Sequence, residues 1–220
     1  MSAGPASLAV FDLDGTLSFR DTFAAFVAGY LRRHPARLIG TPGAALALAA
    51  WCVGVLDRGQ LKSRLIRAFM GGDSRQDIEH WSRAFSSQLV DHGMRPEALE
   101  ALQAHRQRGD CLILLSASPD LYVPEIGRLL GMHRVICTRI RFEGDRLQGG
   151  LLTPNRRGRE KLRCLEALRE EFPDASISAY GNAASDLAHL AAADHPMLVN
   201  GRLCARRRAV RIGIRVGDWN

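Results

Sequence analysis

Apolar positions along this chain come in two rhythms. Short unbroken runs such as Leu8-Ala9-Val10-Phe11, "CLILL" from Cys111 and "SISAY" from Ser176 read as strands buried on both faces. Longer stretches such as "DTFAAFVAGYLRR", "RQDIEHWSRAFSSQLV" and "RPEALEALQAHRQRG" space their apolar residues as amphipathic helices do, the last ending at Gly109. The order of the two rhythms is informative. After the opening strand, Asp21 to about Met94 is helix-like, with breaks expected at Pro35, Pro42 and "GGDS". Strand and helix then alternate. "CLILLSAS" is a strand, "LYVPEIGRLLG" a helix and "RVICTRI" a strand. "RFEGDRLQGGLL" is a hairpin turning near Gly144 and Asp145, and "GREKLRCLEALREEF" is a helix. "SISAYG", "NAASDLAHLAAA" and "HPMLVN" follow. The basic C-terminal "GRLCARRRAVRIGIRVGDWN" keeps apolar positions able to pack.

A helical module of about 70 residues thus interrupts a strand–helix series. The expected architecture is α/β: a Rossmann-like, three-layer core with a parallel sheet, built from residues 1–20 and 95–220, and an inserted all-helical cap over 21–94. At 220 residues, 46% of them apolar and 24% charged, the chain has the composition of a globular protein and not of a disordered or fibrous one. A formal charge of +7 favours an anionic partner without choosing among phosphate esters, nucleic acids and acidic membranes. Five scattered cysteines, none in a C-x-x-C pair, indicate neither a disulfide framework nor a zinc site. The N-terminal "MSAGPAS" lacks a basic region followed by an apolar core. A cytoplasmic setting is therefore expected, or a peripheral one at the inner face of a membrane.

Polar residues follow three of the apolar runs: Asp12 and Asp14 after the first, Ser116 after "CLILL", and "GNAASD" after "SISAY". Parallel strands bring these tips to one edge of the sheet, where ligands bind in such folds, and Lys161 in "GREK" is placed to join them. Asp12, Asp14, Asn182 and Asp186 offer hard oxygen ligands suited to Mg²⁺. Ser116, the N–H of Ala117 and the ammonium of Lys161 are donors of the kind a phosphoryl group needs. Acids alone would repel a phosphate, so a metal and a lysine among them point to phosphoryl transfer and not to glycoside hydrolysis.

"DLDGT", "LLSAS", Lys161 and "GNAASD", in that order, resemble the four motifs of the haloacid dehalogenase-like (HAD) superfamily. The helical insertion resembles the C1 cap of its phosphoserine-phosphatase-like subfamily IB, as do "RGQLKSRLIRAFMGG", "SASPDLYV" and the hairpin. The resemblance implies that Asp12 attacks phosphorus to give an aspartyl-phosphate, and that Asp14 protonates the leaving oxygen and later activates water. It further implies Mg²⁺ held by the Asp12 carboxylate, the Asp14 carbonyl and Asn182 with Asp186 near, and phosphoryl oxygens held by Ser116 and Lys161. The implied substrate is a small phosphorylated metabolite. An acid at position 14 separates phosphoester chemistry from dehalogenases and ion-pumping ATPases. The chain departs from the motif at Asn182, where an acid is common, which lowers the charge available to a metal.

For the rest of the substrate the resemblance offers Asp21, which is equally suited to cap a helix, and Arg64 (or Arg67) in the cap; Ser185 is a further candidate. Leu38 to Leu56 carries no charge and is flanked by Arg32, Arg33 and Arg37. It reads as a buried or cleft-facing cap helix, an interfacial membrane contact, or a span near the lower length limit. An interfacial contact would bring a lipid phosphate into view as substrate, and weak metal binding at Asn182 would leave a phosphate-ligand binding protein. The C-terminal arginines lack interleaved aromatics, so no nucleic-acid partner is expected.

Overall fold

The computed structural model describes residues 5–219. Residues 1–4, the start of the segment expected to lack a leader, and residue 220 lie outside them. The first strand, β1 (Ser7–Phe11), is followed by α1 (Thr22–Arg33), a 3-10 turn (Pro35–Gly40), α2 (Thr41–Cys52), α3 (Arg58–Met70) and α4 (Arg75–His92). Then come α5 (Pro96–Gln107), β2 (Cys111–Pro119), α6 (Val123–Leu129), β3 (Arg134–Thr138), β4 (Ile140–Glu143) and β5 (Arg146–Leu151). The chain closes with α7 (Arg159–Glu171), β6 (Ser176–Gly181), α8 (Leu187–Ala191), β7 (His195–Val199), α9 (Leu203–Arg211) and β8 (Arg215–Gly217).

Six strands form one parallel sheet in the order β3-β2-β1-β6-β7-β8, and β4 and β5 make a separate antiparallel hairpin. The sheet is the α/β core expected from the apolar runs. β1 sits inside it, Leu8 opposite Cys111 of β2 and Ser7 opposite Ser176 of β6. Because side chains alternate along a strand, Ala9 and Phe11 enter the apolar cluster on one face. Leu8 and Val10 enter the cluster on the other, with Leu165 and Leu168 of α7 and Leu190 of α8. The first cluster continues into the helical segment through Phe26, Tyr30, Ile66, Met70, Trp81 and Phe85, so the inserted helices and one face of the sheet share an apolar core.

The breaks expected in the helical segment fall at element boundaries: Pro35 opens the 3-10 turn, and Pro42 lies in the first turn of α2, where a missing N–H costs nothing. The C-terminal basic stretch packs as its apolar positions suggested, as α9 and β8, with Ala205, Ala209 and Ile214 in the core. One reading needs correction: the uncharged stretch from Leu38 to Leu56 is not a buried helix. In α2 only Ala44 and Ala47 are buried, while Leu46 and Leu48 face solvent. Among the described residues, no helix is long and apolar enough to cross a membrane.

An aromatic cluster ties the helical segment to the core. The Phe26 ring of α1 lies 4.5 Å from that of Tyr122, which precedes α6, and 5.1 Å and 5.7 Å from those of Phe85 and Trp81 of α4. Truncating a fully buried phenylalanine removes its transfer energy and leaves a cavity. Phe26→Ala is expected to lower unfolding stability by about 3–5 kcal/mol, read from the shift of the urea midpoint at unchanged slope.

Candidate active site

β1 delivers Asp12 to the carboxyl edge of the sheet, and parity decides which way it points. Asp12 shares its face with Leu8 and Val10, the face covered by α7. Its backbone N–H continues the ladder to Tyr180 of β6, 3.0 Å away, which holds the strand tip in place. Gly15, at φ +77°, turns the chain back. Thr16 then donates its hydroxyl to Asp12 Oδ2 at 3.0 Å.

Lys161, in the first turn of α7, is fully buried beneath this tip. Its Nζ donates to Asp12 Oδ1 at 2.6 Å and to Asp186 Oδ1 at 3.0 Å. Asp186 Oδ2 closes the turn after β6 by accepting from the amides of Asn182 (3.2 Å) and Ala183 (2.9 Å). Burial would push Asp186 up, but Lys161, His189 and the Ala183 amide outweigh it and hold the carboxyl below the usual carboxylate range. Burial is likewise outweighed at Lys161, whose ammonium is held above its usual range by Asp12 and Asp186. Asp12 goes the other way. Burial raises it, Lys161 opposes, and the charges of Asp186 and Asp14 add to the rise.

Asp14 is gripped from two sides. Oδ1 accepts from both the N–H and the hydroxyl of Thr22, each at 2.6 Å, and Oδ2 accepts from the Ser118 hydroxyl at 2.6 Å. Burial, then the charge of Asp21, raises its pKa, with the Ser118 and Thr22 hydrogen bonds pulling back. A carboxyl with raised proton affinity suits general acid work.

A cavity of about 220 Å³ opens over these groups, lined by Asp12, Asp14, Asp21, Ala117, Lys161, Asn182 and Asp186 among the expected residues. Ser116 is fully buried and does not line it. Its hydroxyl accepts from the Ser118 amide at 3.0 Å, and Ala117 and Ser118 form the wall. Asp21 both lines the cavity and caps α1, accepting from the Ala24 amide at 3.0 Å. Arg64 is not brought to the site. The cavity face of α3 carries Arg58, Leu61, Lys62 and Leu65, a stripe at helical spacing, and Arg64 lies off it in solvent. Arg67 is also off it and donates to the Gln148 carbonyl at 3.3 Å. Ser185 is outside the wall because the turn closed by Asp186 aims Asn182 and Ala183 inward.

Lys62 went unmarked in the sequence. It donates to the Ala117 carbonyl, lies 3.4 Å from Asn155 Oδ1 and 5.5 Å from the centre of the Phe23 ring. Burial pushes it down to about 8, against the charges of Asp14 and Asp21. With Arg58 and Arg157 it adds basic groups to the lining of a cavity that also holds the acids.

Beside the Lys161 ammonium, the groups at this tip able to ligate a cation are oxygens, on Asp12, Asp186, the Asp14 main chain and the Asn182 amide, a set of the kind Mg²⁺ accepts. The Asn182 side chain packs so closely on Gly15 that a Cβ there would lie 2.0 Å from Nδ2, so the glycine makes room for the amide at the strand tip. The donor set therefore fits the ion.

Removing Lys161 would leave two buried carboxylates without their cation. Lys161→Met, compared with wild type in EDTA, is expected to lose about 3–5 kcal/mol at neutral pH. Because Asp186 is depressed in the folded state, this wild-type advantage exists above the usual carboxylate pKa and fades as pH falls through the depressed value. Urea unfolding at a series of pH values measures both.

The haloacid dehalogenase-like hydrolase model matches residues 9–191. Protein CicA of Caulobacter vibrioides is 37% identical over 190 residues, covering 85% of this chain and 83% of CicA. Among solved structures, a protein of unknown function from Bordetella pertussis Tohama I superposes with a TM-score of 0.81 at 21% identity, over 97% of this chain and 98% of its own. A phosphoserine phosphatase solved as a phospho-aspartyl intermediate analogue gives 0.66 at 16% identity, over 97% of this chain and 94% of its own. At those identities the two structures speak to the fold. The family match runs from the middle of β1 to the end of α8 and so takes in Asp12, Asp14, Lys161, Asn182 and Asp186 together; the chain belongs to the haloacid dehalogenase-like hydrolases.

Proposed function

We propose that this hydrolase is a Mg²⁺-dependent phosphomonoester phosphatase that works through an aspartyl-phosphate on Asp12. Residues 21–94 act as the helical cap of a core formed by 1–20 and 95–220. The observation that carries the reading is the pairing of two differently held carboxyls at one strand tip. Asp12 is tied to a buried ammonium, and Asp14 is tied only to neutral donors, which can hold it with or without its proton.

Asp12 attacks phosphorus, its carboxylate oxygen forming the new P–O bond as the bond to the leaving oxygen breaks, and Asp14 delivers its proton to that oxygen. Asp14, now a carboxylate, takes a proton from water as the water oxygen attacks phosphorus, which frees phosphate and restores Asp12. Lys161 and the Ala117 N–H hold phosphoryl oxygens, and Ser116 shapes the turn that presents that N–H. Asp12, the Asp14 carbonyl, Asn182 and Asp186 would hold Mg²⁺, which neutralises phosphoryl charge when bound.

The substrate is a small phosphorylated molecule. Asp21, Arg58, Lys62 and Arg157 line the same cavity and are the groups that read its non-phosphoryl part, in the role the sequence offered to Arg64.

Phosphate release from amino-acid, sugar, nucleotide and lipid phosphomonoesters tests this directly. Release is expected with Mg²⁺ and none with EDTA. Asp12→Asn is expected to fold and to show no turnover on any member of the panel, and wild-type turnover by that variant would sink the mechanism. Asp14→Asn is expected to lose about 10²–10⁴ in kcat, the usual worth of a positioned acid and base.

A further inference from the structure

We infer that the outward face of α2, with the turns on either side of it, docks on an anionic lipid bilayer and sets the active-site mouth at its surface. The inference rests on side-chain placement and charge and is independent of the reaction proposed above.

Thirteen large apolar side chains are exposed among the described residues, and six of them fall between Leu38 and Val55. Ile39 is 86% exposed, Val53 75%, Val55 71% and Leu46 70%, with Leu38 and Leu48 beside them. A helix lying against a core normally turns charge outward. α2 has none to turn, since no charged residue occurs from Leu38 to Leu56. Its inner face meets α3 through small side chains, Ala44 and Ala47, so its bulky residues are the ones left outside. Single exposed leucines are ordinary, but six exposed large apolar side chains within the 18 residues from Leu38 to Val55 mark an interaction surface.

Charge identifies the occupant. Between Leu31 and Ala68 the chain carries seven basic residues (Arg32, Arg33, Arg37, Arg58, Lys62, Arg64, Arg67) and one acid, Asp57, a balance of +6 out of +7 for the whole chain. Arg32, Arg33, Arg58, Arg64 and Arg67 are exposed. An apolar patch set in a field of arginines is complementary to a bilayer with anionic headgroups, where each basic residue near the surface adds attraction. A second copy of the chain fits less well, because a twofold contact through this face would bring two such basic sets together. The twelve residues of α2 span roughly 18 Å, short of the ~30 Å of a hydrocarbon core, so the helix lies along the interface.

The patch is continuous with the site. Trp51, in the last turn of α2, lines the catalytic cavity, and the Arg58 guanidinium sits 5.7 Å from its ring centre. Tryptophan and arginine side by side are the residues that settle at headgroup depth. The mouth holding Asp12 and Asp14 then opens within reach of the lipid surface.

Flotation of the full chain with vesicles of phosphatidylcholine, with and without phosphatidylglycerol, tests the inference. The protein is expected to float with the anionic vesicles at low salt, to do so less at high salt, and to ignore the neutral ones. Ile39→Glu combined with Leu46→Glu and Val53→Glu changes only solvent-facing side chains, and is expected to cut anionic-vesicle binding by about tenfold or more. Circular dichroism confirms that the variant is folded, and the serine versions of the same three changes are expected to weaken binding in the same direction. No flotation of wild type at low salt, or flotation that the substitutions leave unchanged, overturns the proposal. So does light scattering that finds a wild-type dimer and a glutamate-variant monomer, since the face would then be covered by a second copy.

Discussion

The site depends on one buried ammonium. Lys161 reaches the interior from the first turn of α7 and meets carboxylates from two other parts of the chain, Asp12 at the tip of β1 and Asp186 in the turn after β6. None of the three would tolerate burial alone, because a charge without a partner in an apolar interior carries a large desolvation penalty. Together they fix α7, β1 and the β6 turn at one point. Asp186 extends the arrangement by holding the amides of Asn182 and Ala183, which turns the Asn182 side chain toward Gly15.

The opposite wall is built on different terms. Thr22, at the start of the inserted helices, and Ser118, at the end of β2, each hold one oxygen of Asp14, so that carboxyl spans the junction between helical segment and sheet. The Thr22 hydroxyl also lies 2.9 Å from that of Tyr122, whose ring packs on Phe26. Neutral donors can hold the acid in either protonation state, whereas an ammonium would bias it toward the anion.

Much of this was legible in the sequence, and the reason is periodicity. An unbroken apolar run marks a strand, the residue after it marks the strand's tip, and parallel tips converge. Asp12, Asp14, Ala117, Asn182 and Asp186 were accessible by that route, as was Lys161 from the start of a helix. Residues on the inserted helices were not. Whether Arg58, Lys62 or Arg64 faces the cavity depends on the rotation of α3 about its axis, which is set by packing against α2 and the β4–β5 hairpin and not by local pattern. The same holds for α2, apolar on every side, which gives periodicity nothing to report. Ser116 shows the remaining limit: the strand end was located correctly, but which of its residues face the cavity depends on the turn that follows.

β1 is hydrogen-bonded to a neighbour along both edges, and its side chains fill an apolar cluster on each face. A slip of one residue there would exchange every buried side chain with its opposite and swing Asp12 away from α7. The segment from Leu38 to Leu56, by contrast, touches the rest of the molecule through few buried side chains. The chain therefore divides its mutability by location. Its paired carboxyls, Asp12 and Asp14, follow the strand where a substitution disturbs most, and its outer helix can be rewritten with little consequence for folding. A descendant of this sequence could change what it meets, or where it works, by exchanging that helix while the chemistry beneath it stayed as it is.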